Sequence, residues 1–366
     1  MRILELGKYY PPYRGGMETL LRSWSEGFAQ RGAEVNCIVA NDRPATVVET
    51  INQVRVHRLA RYGVALSTAL CPAYLFAPRR HPADVWHLHF PNPLGDLACL
   101  AGPRHVPLVI HYHSDIIRQA GTMKAYGSVV RKVLRRAARV VVATPQHIEY
   151  SPWLSGIPEK CEVIPFGTDL SRFEPNPEIM RRAAELRAEA RGRPILLAIG
   201  RLVGYKGHRY LIEAARKLDA CVWIIGSGPL GAELKTQAAG VRARFPGEVP
   251  DEELPAWLHA CDIFALPSIT PNEAFGLVQI EAMACGKPVV SCNLKSGVPF
   301  VNRHEVTGFV VPPADSAALE QALKQLIADP GLRGKFGAAG RKRAVAEFSE
   351  TVMIERYWNC LKQAAR

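Results

Sequence analysis

The chain has 366 residues, 48% of them hydrophobic, and 46 Lys and Arg against 34 Asp and Glu give it a formal net charge of +12. This length suits two Rossmann-sized domains better than one core, and neither a bilayer-spanning apolar run of about 20 residues nor a signal-peptide pattern is present, so a cytoplasmic protein is expected. The charge calls for an anionic partner; no nucleic-acid module accompanies it, and nine scattered cysteines without a Cys-x-x-Cys pair argue for reduced thiols rather than a disulfide framework.

In chain order, the apolar run at 2–6 predicts a first buried strand. Gly15-Gly16, after Tyr13-Arg14, supplies a glycine turn into a helix over 17–31, whose N-terminal N–H groups offer an anion cradle. Strand-like runs at 34–39, 85–89, 108–112 and 140–143 alternate with helical stretches, which implies a parallel sheet covered on both faces. His87 and His89, and His111 and His113, each alternate along a strand, so each pair shares one face. Four such histidines raise a zinc site; cysteines and carboxylates at ligand spacing are missing, and no metal is expected.

Between 118 and 139, Arg118, Lys124, Arg131, Lys132, Arg135, Arg136 and Arg139 interleave with Val129, Val130, Val133, Leu134, Ala137 and Ala138 at helical spacing, without an acid. Such a helix suits an anionic membrane surface, or packs its valines on a sheet with its arginines solvated. Pro165, Gly167, Pro175 and Pro177 then punctuate the chain, and a domain boundary is placed near 169–172. After a helix-forming stretch at 177–193, the strand pattern restarts at 195–200, 221–226, 263–266 and 288–290, implying a second Rossmann-like domain with a cleft between the two. The stretch 349–361 reads as a final amphipathic helix.

Chemistry concentrates in the second half. Gly200-Arg201-Leu202-Val203-Gly204-Tyr205-Lys206 follows a buried strand at its carboxyl end, where ligands bind in open α/β sheets, and its two cations suit a diphosphate. Gly226-Ser227-Gly228-Pro229 ends the next strand and would admit a nucleotide closely. A loop at 269–274 meets a helix over 276–285 that Gly286 stops. The free N–H groups of Phe275, Gly276 and Leu277 at that helix mouth favour a phosphate. Glu273 stands at the mouth and Glu281 further along the helix, too far apart to share one proton; with a diphosphate at the mouth, Glu273 could accept from sugar hydroxyls and Glu281 from a ribose diol.

The stretch from Pro271 to Val290, in which Glu273 and Glu281 flank Phe275-Gly276-Leu277, resembles the signature of glycosyltransferase family 4, retaining transferases of the two-domain GT-B fold. The resemblance extends through Gly7-Lys8-Tyr9-Tyr10-Pro11-Pro12, Gly15-Gly16, Ile164-Pro165-Phe166-Gly167-Thr168-Asp169, Gly200-Arg201 and Gly308-Phe309-Val310-Val311. It is nearest to bacterial members that transfer hexoses, often mannose, while building O antigens, lipopolysaccharides and exopolysaccharides. It implies an acceptor-binding domain at 1–170, a nucleotide-sugar-binding domain at 171–349 and a final helix, 350–366, crossing back onto the first. The donor would be a GDP- or UDP-linked sugar, and the acceptor a hydroxyl of a glycan or polyprenyl-linked carrier at the inner membrane face. By the same resemblance, Arg201 and Lys206 stabilise the leaving diphosphate without metal or other cofactor, with Gly15 and Gly16 beside it. Glu273 and His113 hold the sugar and Glu281 the ribose; Asp115, two residues beyond His113 at the same strand end, is read as a residue that could help orient the acceptor.

Other classes remain open at this stage. They are a UDP-sugar-dependent glucosyl or N-acetylglucosaminyl transferase, a sugar-nucleotide epimerase that needs no acceptor, and a catalytically silent nucleotide-sugar-binding protein. A nicotinamide dehydrogenase is disfavoured, because no Gly-x-Gly-x-x-Gly follows the first strand.

Overall fold

The computed structural model describes residues 1–13, 15–65, 68–114 and 120–366, with side chains from 120 to 125 also outside the description. Arg14, Asp115, Arg118 and the side chain of Lys124, singled out from sequence, therefore lie outside the described residues. The chain divides into two compact units, one formed by 1–165 with 351–366 and the other by 166–350.

The first unit holds strands β1 (Arg2–Leu6), β2 (Glu34–Ala40), β3 (Val47–Ile51), β4 (Val54–Leu59), β5 (Val64–Ala65), β6 (Thr68–Ala69), β7 (Val85–Phe90), β8 (Leu108–Tyr112), β9 (Arg139–Val142) and β10 (Cys161–Val163). Apart from the small β5–β6 hairpin, they form one sheet in the order β10-β9-β8-β7-β1-β2-β4-β3. All neighbours are parallel except β3, which returns antiparallel beside β4 through Asn52 and Gln53, both with positive φ. A two-residue turn of that kind matches the strand twist, and it departs from the all-parallel sheet expected. The central strands are buried on both faces because helices cover both: every residue of β7 and β8 is buried. The covering helices are α1 (Gly16–Gln30), α2 (Pro93–Ala101), α3 (Ala120–Arg136) and α4 (Pro145–Tyr150), and Asn92 caps α2 by accepting from the Gly95 N–H at 3.2 Å.

The second unit carries β11 (Ile195–Ile199), β12 (Cys221–Ile225), β13 (Ala243–Gly247), β14 (Ile263–Leu266), β15 (Val289–Cys292) and β16 (Gly308–Val311), in the order β13-β12-β11-β14-β15-β16 and parallel throughout. Its helices are α5 (Pro177–Glu189), α6 (His208–Ala215), α7 (Gly231–Gln237), α8 (Leu254–Ala260), α9 (Leu277–Ala284), α10 (Val298–Val301), α11 (Ser316–Ala328) and α12 (Pro330–Phe348). Sequence marks several starts: Asn176, Asp315 and Asp329 each accept from a backbone N–H in the first turn of α5, α11 and α12, and Pro177 and Pro330 follow where no donor is needed. The last helix, α13 (Glu350–Ala364), lies almost wholly in the first unit.

In the first unit the strand order reverses between β1 and β7, in the second between β11 and β14. Ligands of open α/β sheets collect at the carboxyl ends of the strands beside such a reversal.

Candidate functional site

In the second unit the predicted residues sit on the loops that leave β11, β12 and β14. Gly207 follows the single turn Gly204–Lys206 at φ 67°, and a Cβ there would lie 2.0 Å from the Pro267 carbonyl oxygen, so only glycine lets these two loops touch. That contact brings Lys206 to Glu273. The ammonium stands 2.6 Å from the carboxylate, which also accepts from the Ser268 hydroxyl at 2.7 Å, and Glu273 is 8% exposed. The two residues read separately from sequence, as phosphate clamp and sugar acceptor, are thus bonded to each other. An ammonium has three donors and a carboxylate about four acceptor sites, so the pair keeps capacity for both a phosphate oxygen and a sugar hydroxyl. Ser268 was not anticipated, and nothing in the sequence singles it out.

Arg201 is exposed and, among the described residues, has no ion-pair partner. Beside it, Gly226 has φ 135°, and a Cβ there would lie 2.1 Å from the Gly200 carbonyl oxygen. The Gly226 to Gly228 stretch therefore serves first to let the loop after β12 pack on the loop after β11, where the Leu202 N–H donates to the Ser227 carbonyl at 2.8 Å.

At the mouth of α9, Gly276 adopts φ 70°, and a Cβ would meet the Leu266 side chain at 2.6 Å. Conformation and packing both demand this glycine. Phe275 is buried, its ring edge-on to Phe166 and Phe348 at 5.2 and 6.0 Å, so it faces a ligand only through its backbone. The N–H groups of Phe275, Gly276 and Leu277 make no backbone hydrogen bond among the described residues, and the Leu277 side chain is 40% exposed. Glu281, one turn along, is half-buried; burial pushes its carboxyl up to about 7, with Asp251 adding and Arg172 opposing.

In the first unit, Gly15 and Gly16 open α1 without a side-chain cap. The Glu18 carboxylate already stands beside them, 2.1 Å from where a Cβ on Gly15 would be, so an acid occupies the positive end of this helix. Lys8, at the carboxyl end of β1, is depressed by burial and feels Glu18 and Asp96 as opposing charges.

The histidines converge on a residue that the sequence reading overlooked. Glu5 of β1 lies in register with His87 of β7 and is fully buried. It accepts from His87 Nδ1 at 2.9 Å and from His89 Nε2 at 3.0 Å, while His89 Nδ1 lies 3.3 Å from His113 Nε2. Burial alone would push the Glu5 carboxyl up, but His87 and His89 outweigh it and hold the group at about 2. Burial keeps His89, His111 and His113 below the usual imidazole range. An ionised Glu5 can only accept, so His89 is protonated on Nε2 and takes a hydrogen bond from His113 on Nδ1. Trp24 of α1 covers this face, its ring 4.7 Å from that of His111, and the Tyr357 hydroxyl of α13 bonds His111 Nδ1. The expectation that no carboxylate stands at ligand spacing is corrected here: Glu5, His87 and His89 present ligand atoms within 4.8 Å of one another. A lone acid in an apolar strand was the signal available for it.

The basic helix resolves into two faces. Val130, Val133, Leu134 and Ala137 are buried, and Arg131, Lys132 and Arg135 are exposed. Arg136 is no surface cation: it donates to the Cys99 and Pro103 carbonyls and lies over the Trp86 ring at 5.6 Å. Arg139 begins β9.

Residues 182–343 match the model of the group 1 glycosyl transferases, and residues 15–167 that of a glycosyl transferase 4-like domain. The chain is 30% identical over 368 residues to the O-antigen chain mannosyltransferase C of Escherichia coli, covering 98% of this chain and 97% of that one. It is 33% identical over 350 residues to the D-rhamnosyltransferase WbpZ of Pseudomonas aeruginosa, covering 94% and 91%. A GDP-mannose-dependent alpha-(1-6)-phosphatidylinositol monomannoside mannosyltransferase of Mycolicibacterium smegmatis is 30% identical over 363 residues, with 92% of each chain covered. Among solved structures, the sucrose-phosphate synthase of Thermosynechococcus elongatus superposes with a TM-score of 0.75 at 25% identity, covering 99% and 98% of the two chains. HepE of Anabaena, solved with UDP, superposes at 0.79 and 22%, covering 99% and 100%, and shows the same fold. With two Rossmann-like units, family matches in both and relatives aligned over nearly their whole length, the chain belongs to the group 1, family 4 glycosyltransferases of the GT-B fold, enzymes of polysaccharide and glycolipid biosynthesis.

Proposed function

We propose that this transferase moves mannose from GDP-mannose, with retention of configuration and without metal, to a hydroxyl of a glycan or lipid-linked acceptor in surface polysaccharide biosynthesis. The observation that carries the reading is the Lys206–Glu273–Ser268 cluster, set at the strand reversal of the second unit and at the mouth of α9. Its cation stands beside its sugar-binding acid, as cleavage of a sugar–phosphate bond requires.

In this reading Arg201 and Lys206 stabilise the charge that grows on the leaving diphosphate, the N–H groups of Phe275, Gly276 and Leu277 take its oxygens, and Gly226 keeps the neighbouring loop in place. Glu273 fixes the sugar and Glu281 the ribose. In the first unit His113 contacts the sugar, and Gly15 and Gly16 lie near the diphosphate. The leaving phosphate takes the acceptor proton on the face it departs from, so no side-chain base is required. Mannose is favoured because two of the similar enzymes carry it in their names, one of them with GDP-mannose. D-rhamnose, a 6-deoxymannose, is the second reading, favoured by the 33% identity to a D-rhamnosyltransferase.

The test is calorimetric titration with GDP, GDP-mannose, UDP and UDP-glucose in chelator, followed by transfer assays on Glu273→Ala and Glu281→Ala. GDP and GDP-mannose are expected to bind, Glu273→Ala to lower kcat by at least about a hundredfold, and Glu281→Ala to raise the GDP Kd about tenfold with a smaller effect on kcat. Tighter UDP binding overturns the donor assignment, loss of transfer in chelator overturns metal independence, and equal small effects of the two variants overturn the roles.

A further inference from the structure

Glu5, His89 and His113 form a chain of hydrogen bonds that crosses three adjacent strands, from the middle of the first sheet to its carboxyl edge. Glu5 stands opposite His87 in the β1–β7 pairing and His89 opposite His111 in the β7–β8 pairing, and the His113 backbone N–H extends that ladder by donating to the Phe90 carbonyl at 3.0 Å. Residues two apart along a strand share a face, so Glu5, His87, His89 and His113 meet on one side of the sheet. Glu5 and His89 are buried, His113 is half-buried, and Ser114 beyond it is exposed. The buried Trp24 ring lies 5.3 Å from the His89 ring and 6.2 Å from the His113 ring and shelters both from water.

The carboxylate at the buried end fixes the direction of every bond. Glu5 takes the His87 Nδ1–H at 2.9 Å and the His89 Nε2–H at 3.0 Å. A neutral imidazole has one N–H, so His89 Nδ1 can only accept, and His113 Nε2, 3.3 Å away, is the donor to it. Which ring nitrogen of a histidine carries the proton is set by the bond the other makes, and burial keeps His113 below the usual imidazole range, so its ring stays neutral with Nδ1 bare. We infer that Glu5 and His89 are positioning residues for sugar recognition: they fix His113 as the tautomer protonated on Nε2, so that Nδ1 meets the donor sugar as a hydrogen-bond acceptor. The inference rests on the sugar contact proposed for His113 and adds the polarity of that contact and the two residues that impose it. An acceptor nitrogen takes the proton of a hydroxyl and offers nothing to a phosphate oxygen. This histidine therefore reads the sugar and leaves the diphosphate to Arg201 and Lys206.

The experiment uses the full chain with its 11 histidines labelled with heavy nitrogen. Long-range proton–nitrogen NMR spectra tell a protonated ring nitrogen from a bare one, and the signals missing from His113→Ala identify His113. The native chain is expected to show one form of His113, Nε2 protonated and Nδ1 bare, and GDP-mannose but not GDP is expected to shift the Nδ1 signal. In Glu5→Gln, whose folding is checked by thermal denaturation, an amide that both donates and accepts removes the fixed direction, and both tautomers of His113 appear. Calorimetry reads the sugar's share of the affinity as the ratio of the GDP Kd to the GDP-mannose Kd. Glu5→Gln is expected to lower this ratio about threefold to tenfold with the GDP Kd unchanged, and to have no further effect in the His113→Ala background. A protonated Nδ1 in the native chain overturns the inference whether or not Glu5→Gln folds. So does an unchanged single tautomer in Glu5→Gln, and so does a loss that persists in the His113→Ala background, since Glu5 would then act through the fold. Bound GDP-mannose that leaves Nδ1 unshifted overturns the sugar contact itself, and the inference with it. Binding of UDP and UDP-glucose instead overturns the donor assignment alone, and the same ratio is then read with that pair.

Discussion

Glu281 and Glu5 show how one residue type is tuned in opposite directions. Glu281, held at about 7 by burial, contributes stability that is fully present below the usual carboxyl value and lost as pH rises through about 7. If its carboxylate takes the ribose hydroxyls, GDP affinity rises with pH between 6 and 8 and levels above, and Glu281→Gln flattens the part of the profile that the diphosphate's own titration does not explain. Calorimetry at four pH values decides it, and an unchanged slope in the variant removes Glu281 from the site. Glu5 sits at about 2, so its contribution is present above about 4.5 and lost as pH falls through about 2. Replacing it with Gln leaves two imidazole N–H groups facing one weaker acceptor and a new donor. Urea titration is expected to show a loss of about 1–3 kcal/mol at pH 7. That gap should narrow by pH 3, and a gap equal at both pH values would mean that the carboxylate charge contributes nothing. Neither value was legible in the sequence. Glu281 was singled out by its spacing, but its titration depends on the depth to which α9 buries it; Glu5 was passed over because its partners lie more than 80 positions away.

Among the elements, α1 and α13 of the first unit approach closely at one point. A Cβ on Gly27 of α1 would lie 2.6 and 2.8 Å from the Cδ1 and Cγ2 atoms of Ile354. Gly27→Ala is therefore expected to destabilise by about 1–3 kcal/mol despite the better helix propensity of alanine. Ile354→Ala in the same chain should recover part of that loss, giving a double-mutant cycle far from additive, whereas additive losses would show that the two helices do not meet there. Element positions were largely legible from apolar runs: the strands read at 108–112 and 263–266 are Leu108–Tyr112 and Ile263–Leu266, and the helix read at 276–285 is Leu277–Ala284. The edge hairpin of β3 and β4 was not, because the half-exposed Val47–Ile51 strand lacks the apolar run by which buried parallel strands are recognised.

For the whole molecule, the net charge of +12 is the property that most needs a partner. Exposed Arg131, Lys132 and Arg135 on α3 make a cationic surface, while Arg136 belongs to the fold and takes no part in it. We expect the protein to float with phosphatidylglycerol vesicles at low salt and to be released by salt, with the Arg131, Lys132 and Arg135 triple alanine variant weakened by about 1 kcal/mol per charge removed. Equal flotation with phosphatidylcholine, or an unchanged triple variant, would leave α3 as an ordinary packed helix. No helix among the described residues is long and apolar enough to cross a membrane.

The sequence by itself determined where most of the buried strands and several helices lie and that two Rossmann-like units follow one another, and it singled out the stretch around Glu273 as the candidate site. These follow from local causes: apolar periodicity, capping residues, glycines at positive φ, and a motif contiguous in the chain. Only the tertiary structure decided that Lys206 pairs with Glu273 across 67 positions, that Gly226 serves backbone packing, and that Glu5 gathers His87 and His89. Each depends on strand order and register, which are set by long-range burial and pairing and leave no periodic mark on the chain.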